Sequence, residues 1–142
     1  MASLKVSFPQ GKIYVLKDSS GKEIINSAYL VWNKSYENKF NNGLNQTQMY
    51  LDNKVIQELQ PYVSKKTGVQ ELSIRLRSVP GSGEVWIGVP YARYQAYSPR
   101  IRKMSGKRGK KPFERMKKER KDMILRQVTE YSRRLNSWWT RK

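Results

Sequence analysis

The stretch PFERMKKERKDMILRQVTEYSRRLNSW, residues 112–138, decides how the second half of the chain folds. Its apolar residues recur at the three- and four-residue spacings of one helix face. This stripe consists of Phe113, Met116, Met123, Ile124, Val128, Tyr131, Leu135 and Trp138. Pro112 suits a first helical position, because the N–H that proline lacks would have no partner there. The pattern therefore predicts a long amphipathic helix over residues 112–139.

A strongly basic loop, RIRKMSGKRGKK at residues 100–111, comes immediately before this helix. It contains no acid, and its seven bases are Arg100, Arg102, Lys103, Lys107, Arg108, Lys110 and Lys111. The loop either contacts DNA phosphates or an acidic protein partner, or it is a solvated tip that aids solubility. Seven bases in so short a loop exceed what solubility requires, so we favour contact with DNA or an acidic partner.

The charge of the whole chain points the same way. The formal net charge is +18, and it is uneven: residues 99–142 carry 17 bases and 4 acids, whereas residues 1–98 carry 12 bases and 7 acids. A field of this sign and size favours polyanions such as nucleic acid, an anionic membrane surface or an acidic protein ring. It does not by itself determine the fold.

The composition argues against an enzyme. The chain has no cysteine and no histidine, which removes thiolate chemistry and the commonest general base and metal ligand. Its 11 acids are scattered singly, so no carboxylate pair or cluster is indicated. Gly81, Gly83 and Gly88 superficially resemble a phosphate loop, but Trp86 occupies the third glycine position of a dinucleotide fingerprint. We therefore expect no enzymatic activity, no cofactor and no metal site.

The sequence also predicts neither a signal peptide nor a membrane span. The start, MASLKVSF, has no apolar run before its first charge at Lys5, and nowhere do 18 apolar residues occur together. The absence of cysteine is compatible with a reducing cytoplasm. We expect no membrane partner.

An α+β fold is predicted for the whole chain, with a small antiparallel sheet packed by a central helix and the long C-terminal helix. The central helix runs from Gln46 to about Val63, and Gly68 after it can adopt the positive φ of a helix cap. In VQELSIRLRS apolar residues alternate with polar ones, and EVWIGV follows after the turn at residues 79–83. These two runs predict a β-hairpin near residues 69–89.

The 142 residues are expected to form a single domain with four segments. The first, residues 1–43, is predicted to contain two short strands at residues 3–17, a turn at residues 18–21, a strand or short helix, and an Asn-rich loop. A helix plus the hairpin (44–98), the basic loop (99–111) and the C-terminal helix (112–139) follow.

Three short segments carry a family resemblance. They are Tyr62-Val63 with Lys66-Thr67-Gly68, then PYARYQ at residues 90–95, then PFERM at residues 112–116. In this order and at these separations they resemble the minor capsid or tail-completion family, small neck proteins of long-tailed bacteriophages. The resemblance covers roughly residues 44–135. Ser98 stands where these proteins often place a glycine.

The resemblance implies a virion structural protein without enzymatic activity, which joins head and tail as one subunit of a neck ring around the DNA channel. Its implied partners are other neck, connector and tail proteins, further copies of itself in the ring and, without sequence specificity, double-stranded DNA. It would be assembled in the bacterial host cytoplasm and reside in the virion. The alternative, from a different class, is a free basic nucleic-acid-binding module of ribosomal or nucleoid type.

Further residues are candidates for a protein interface. Tyr91, Tyr94 and Tyr97 are spaced by three; they either stack on bases or contact a subunit, or else they pack in the core or at a sheet edge. Lys117 and Lys121 are assigned to the outer face of the C-terminal helix. Trp138 and Trp139 cannot face the same side of a helix, so Trp139 is either a partner anchor or part of a frayed end.

Overall fold

The computed structural model describes residues 5–8, 10–13, 17–22, 28–64, 67–98, 106–135 and 137. This part of the chain is mostly helical. It divides into two compact units, Leu4–Asn42 and Gly43–Lys142. Among the described residues, no helix combines the length and the apolar character needed to cross a membrane.

The first unit contains a small sheet. Strands β1 (Gly11–Ile13) and β2 (Ala28–Leu30) pair antiparallel. The predicted turn at residues 18–21 is confirmed, since the N–H of Gly21 donates to the carbonyl oxygen of Asp18 at 2.7 Å. Strand β2 lies in the segment for which the sequence left strand and helix open. Strand β1 lies within residues 3–17, the segment for which the sequence predicts two short strands.

Helix α1 (Lys34–Leu59) begins well before the predicted start at Gln46, so the prediction of an Asn-rich loop is wrong. Asn33 caps the helix: its side-chain Oδ1 accepts a hydrogen bond from the N–H of Ser35 at 3.0 Å. Tyr36 and Phe40, one helical turn apart, both pack on the ring of Phe8, with centroids 5.4 and 5.5 Å away. Capping and aromatic packing thus outweigh the weak helix propensity of the asparagines.

The C-terminal end of α1 lies close to its prediction. A single 3₁₀ turn, Gln60–Tyr62, follows the helix, and Pro61 in it has no N–H to continue the α-helical ladder. The backbone of Val63 is extended, with φ −81° and ψ 148°. Gly68 has the predicted positive φ, 72°, but it precedes the next helix instead of closing α1.

The predicted hairpin at residues 69–89 is wrong. Its first strand is helix α2 (Val69–Arg77), and residues 78–91 contain no strand. The alternation was misleading because the buried residues of α2 are Gln70, Ser73 and Ile74, which have helical spacing, while Leu72 and Leu76 are 55% and 74% exposed. A short helix, α3 (Ala92–Tyr97), follows residues 78–91.

The loop between α2 and α3 is held by a buried carboxylate of α1. Asp52 is 4% exposed, and its Oδ2 accepts the backbone N–H groups of Gly81 at 2.7 Å and Gly83 at 3.0 Å. Its Oδ1 accepts a bond from Nε2 of Gln48 at 2.8 Å. Both glycines have positive φ, 95° and 78°, a conformation that favours glycine. These bonds replace the strand pairing expected here.

The long C-terminal helix is confirmed as α4 (Pro112–Leu135), which begins at the predicted proline. Residue 137 is described and residues 136 and 138–142 are not, so Trp138 and Trp139 lie outside the described residues. Glu130 and Arg134 form an ion pair on the outer surface of α4.

The core of the second unit is built by helices. It consists of Ile56, Leu59, Tyr62, Val63, Ile74, Met116 and Ile124. Val128 packs on its margin, and Tyr131 stacks on Tyr50 with ring centroids 4.2 Å apart. Helix α4 therefore packs against α1, the 3₁₀ turn and α2, because the described residues of this unit contain no sheet to receive it.

Candidate functional site

The three segments that carry the family resemblance lie together in the second unit, where Tyr62 and Met116 share the core and Arg93 lines one pocket with Phe113. The N–H of Gly109 donates to the carbonyl oxygen of Tyr62 at 3.3 Å, and the N–H of Lys111 donates to that of Ala96 at 3.0 Å. Tyr62 and Met116, 1% and 2% exposed, belong to the same core cluster. The described end of the basic loop, residues 106–111, thus connects the Tyr62-Val63 segment, α3 and the start of α4.

This described end of the loop is attached to the core. Arg108 is half-buried, and its Nη1 donates to the carbonyl oxygen of Val63 at 3.3 Å. The Nζ of Lys107 lies 5.8 Å from the centroid of the Tyr62 ring, within reach of a cation–π interaction. A freely solvated tip would make neither contact. The interpretation of the loop as a solvated tip therefore does not apply to Arg108, whereas Lys107 is still exposed.

The remaining bases of the loop differ in their surroundings. Lys110 is half-buried, whereas Lys111 is exposed and its Nζ lies 3.7 Å from Oε2 of Glu114. Lys111 also has a positive φ of 49°, which is unusual for a residue with a side chain. Arg100, Arg102 and Lys103 lie outside the described residues. Of the four described bases, Lys107 and Lys111 present charge to solvent most openly.

The tyrosines of the second segment lie on the surface. Tyr91, Tyr94 and Tyr97 are 39%, 57% and 61% exposed, so the interpretation that they pack in the core is wrong. Tyr91 is the residue before α3, and the other two project from that helix. Three exposed aromatic rings in so short a segment form a surface that is available to a partner.

The predicted interface lysines of α4 are also exposed. Lys117 and Lys121 lie one helical turn apart, and the described residues supply neither with an ion-pair partner. Lys118 is exposed beside them. Together with Lys107 and Lys111 they give this unit a positive surface. Trp139 is not among the described residues.

Sequence reasoning missed Phe113 and Arg93 as surface residues. Phe113 begins the predicted apolar stripe of α4, yet it is 48% exposed and faces a pocket shared with Tyr97. Arg93 of α3 lines the same pocket. Helical periodicity could not reveal this, because only the tertiary packing determines that Pro112 is buried in the first turn of α4 while Phe113 is not.

A partly buried polar contact joins Tyr62 to α4. The hydroxyl of Tyr62 donates to Oε2 of Glu119 at 2.6 Å. Burial raises the pKa of Tyr62 above its usual value, and the hydrogen bond to Glu119 raises it further. Arg120 is next to Glu119 in the sequence, and its Nε lies 3.6 Å from Oε2 of Glu58 in α1. These contacts join α4 to the 3₁₀ turn and to the end of α1.

The described residues contain no group of three or more histidine, cysteine, aspartate or glutamate side chains placed to hold a metal ion. Comparisons of the chain with protein-family models, with curated proteins and with solved structures found no match. The arrangement of basic and aromatic side chains on one unit is therefore the feature from which a function can be argued.

Proposed function

We propose that this protein is a structural subunit of the neck of a long-tailed bacteriophage, where it joins head and tail without enzymatic activity. In this proposal it takes its place in a ring around the DNA channel, with other neck and tail proteins as neighbours. Its exposed tyrosines and lysines contact those neighbours, and its basic loop faces DNA or an acidic ring.

The observation that carries the proposal is the meeting of the three resembling segments. Tyr62-Val63, residues 90–95 and residues 112–116 are far apart in sequence, yet Tyr62 and Met116 share the core, and Arg93 lines one pocket with Phe113. Segments that resemble one family and also lie in one region of the second unit are expected to share one role. The surface of this region contains exposed aromatic rings and a basic loop, which suits assembly better than catalysis.

A gene deletion in the phage tests the neck assignment. Without the protein, DNA-filled heads and finished tails should accumulate unjoined, and electron microscopy of lysates would show them. Normal virions from the deletion would contradict the proposal.

The charge-reversal variants Lys117→Glu and Lys121→Glu test the outer face of α4, since both side chains are exposed and their loss should change folding stability by less than about 0.5 kcal/mol. A variant pair that folds normally but leaves heads and tails unjoined would place this face at the joint.

A salt titration of DNA binding tests the loop. Each phosphate contact contributes about −0.9 to the slope of log affinity against log salt, so neutralising Arg100, Arg102, Lys103 and Lys107 should flatten the slope by about three to four units. Arg126→Gln with Arg133→Gln, two exposed positions of α4, is the matched control and should leave the slope nearly unchanged. Arg108→Gln is unsuitable as a pure charge variant, because it also removes the bond to Val63.

The second candidate function is a free nucleic-acid-binding module. The observation that favours it is the run of exposed lysines on α4, Lys117, Lys118 and Lys121, which adds to the positive loop. In that case the α4 lysines should contribute to the salt slope as strongly as the loop does. The neck proposal expects the slope to depend on the loop alone and the α4 lysines to matter only for joining.

A further inference from the structure

A surface pocket of about 150 Å³ lies where α3 meets the start of α4. Its apolar lining is provided by Ile87, Ala92, Ala96, Tyr97, Pro112 and Phe113. Arg93, Lys111 and Glu114 are the charged residues of the lining. The pocket thus combines a mostly apolar lining with three charged residues.

Two aromatic rings of this pocket are in contact with water. Tyr97 is 61% exposed and Phe113 is 48% exposed. Burying apolar surface of this kind gains roughly 25 cal/mol for each Å² removed from water, so an occupant between the two rings would be stabilised. Tyr94, on the same helix, is 57% exposed but does not line the pocket.

The size of the pocket restricts what fits. A cavity of about 150 Å³ accommodates a group the size of benzene, whereas pockets for drug-sized ligands are roughly 300–1,000 Å³. One apolar side chain therefore fills it.

The charged residues of the pocket determine which groups of a partner can lie beside that side chain. The described residues offer Arg93 no ion-pair partner. Lys111 is paired only with Glu114 at 3.7 Å, and the two side chains are 60% and 51% exposed, so water competes strongly with this pair. A carboxylate of a partner can therefore approach both cations. A second copy of this chain is a poor occupant, because each copy carries a net charge of +18.

We propose that this pocket docks a short acidic peptide segment of a partner protein. One phenylalanine, leucine or tryptophan side chain of the segment enters between Tyr97 and Phe113, and flanking aspartates or glutamates face Arg93 and Lys111. This inference rests on the proposed function of the protein as an assembly subunit, and it specifies the chemistry of one neighbour.

The test measures binding of a fluorescein-labelled acidic peptide with a central phenylalanine to the full-length protein by fluorescence anisotropy at physiological salt. The control peptide has serine in place of the phenylalanine and the same charges. We expect the phenylalanine peptide to bind at least about tenfold more tightly, since filling one apolar pocket at a hot spot is worth about 1.4 kcal/mol or more. Equal binding of the two peptides would overturn the proposal, because charge alone would then explain the binding.

Variants with matched controls place the peptide in this pocket. Phe113→Ala and Tyr97→Ala should each weaken binding by about tenfold or more, while Tyr94→Ala should change it by less than about twofold. Arg93→Glu should weaken binding by about fivefold and reduce its salt dependence, whereas Arg126→Glu, at an exposed site on the outer part of α4, should not. Circular dichroism and thermal melting verify that each variant is folded. Unchanged binding by folded Phe113→Ala and Tyr97→Ala would overturn the proposal.

Other occupants give other results. If Phe113→Ala abolishes binding of a single-stranded oligonucleotide and leaves peptide binding intact, the pocket is a nucleic-acid site and the proposal is wrong. If the protein sediments as a dimer that Phe113→Ala dissociates, the pocket holds a second copy and the proposal is also wrong. Peptide binding in the pocket combined with normal virions from a gene deletion would leave the pocket assigned and refute only the neck function.

Discussion

Replacing Asp52 by alanine should destabilise the second unit by loosening the loop between α2 and α3. The carboxylate is 4% exposed and accepts the N–H groups of Gly81, Gly83 and the side chain of Gln48 at 2.7, 3.0 and 2.8 Å. A hydrogen bond to a charged group contributes about 1.5–3 kcal/mol when buried. Because Gly83 is exposed, water can replace its bond, and we expect a total loss of about 2–4 kcal/mol in the free energy of unfolding.

Two further variants and a local measurement separate the causes. Asp52→Asn keeps one carbonyl oxygen for the two glycine N–H groups and should cost about 1–2 kcal/mol, while Gln48→Ala removes only one bond and should cost under about 1 kcal/mol. Denaturant titration gives the free energies, and hydrogen exchange gives the protection of the Gly81 and Gly83 amides. If Asp52→Ala leaves both the stability and the protection of these amides unchanged, the carboxylate does not hold the loop and the reasoning is refuted.

Three other predictions concern the helical core and the start of α4. Ile124→Ala, at a site 5% exposed, should cost about 2–5 kcal/mol by denaturant titration, whereas Leu125→Ala, at a neighbouring site 49% exposed, should cost under about 1 kcal/mol; equal losses would contradict the packing of α4. Tyr62 keeps its proton to a higher pH in the folded chain than in the unfolded one, so its contribution is complete below about pH 10 and is lost as pH rises through the folded pKa. Tyr62→Phe should therefore flatten the fall in melting temperature at alkaline pH, and an unchanged slope would show that ionisation of Tyr62 is not its cause. Lys111→Gly should raise stability by up to about 1 kcal/mol because it relieves the positive φ, and a loss of stability would show that the lysine side chain matters more.

The sequence predicted the elements whose apolar pattern matches their burial. The stripe of α4 contains Met116 and Ile124, which are buried, and its start at Pro112 is confirmed. The 3.6-residue period was sufficient because this helix packs one face on a core over most of its length. The C-terminal end of α1, with Leu59 and Tyr62 in the core, was predicted for the same reason.

The prediction of a hairpin was wrong because, in α2, apolar residues are not the buried ones in general. Leu72 and Leu76 alternate with Ile74 along the sequence, but only Ile74 is buried, and the polar Gln70 and Ser73 are buried with it. In so short a helix two exposed leucines are enough to imitate the alternation of a strand. The long-range bond from Asp52 to the glycines at 81 and 83 has no local signature either.

The sequence predicted which residues belong to the candidate site, but it did not predict how they are placed relative to one another. Charge alone pointed to the basic loop and spacing pointed to the tyrosines at 91, 94 and 97. The attachment of Arg108 to Val63 and the exposure of Phe113 depend on tertiary packing, which no short pattern encodes. Sequence identified the surface, and the structure identified which of its side chains are held in place.

The attachment of residues 107–111 to the core has a consequence for binding kinetics and affinity. Ordering a flexible segment on binding costs about 1–2 kcal/mol of backbone entropy per residue. Here Gly109 and Lys111 are already tied to the carbonyl groups of Tyr62 and Ala96, so a polyanion or an acidic chain meets this end of the loop preorganised. In a disordered basic tail, part of the favourable electrostatic free energy of binding is offset by the entropy lost when the tail becomes ordered. This end of the loop is already ordered, so less of that free energy is offset. A variant in which residues 107–111 are no longer attached to the core should therefore bind the same partner more weakly, although its net charge is unchanged.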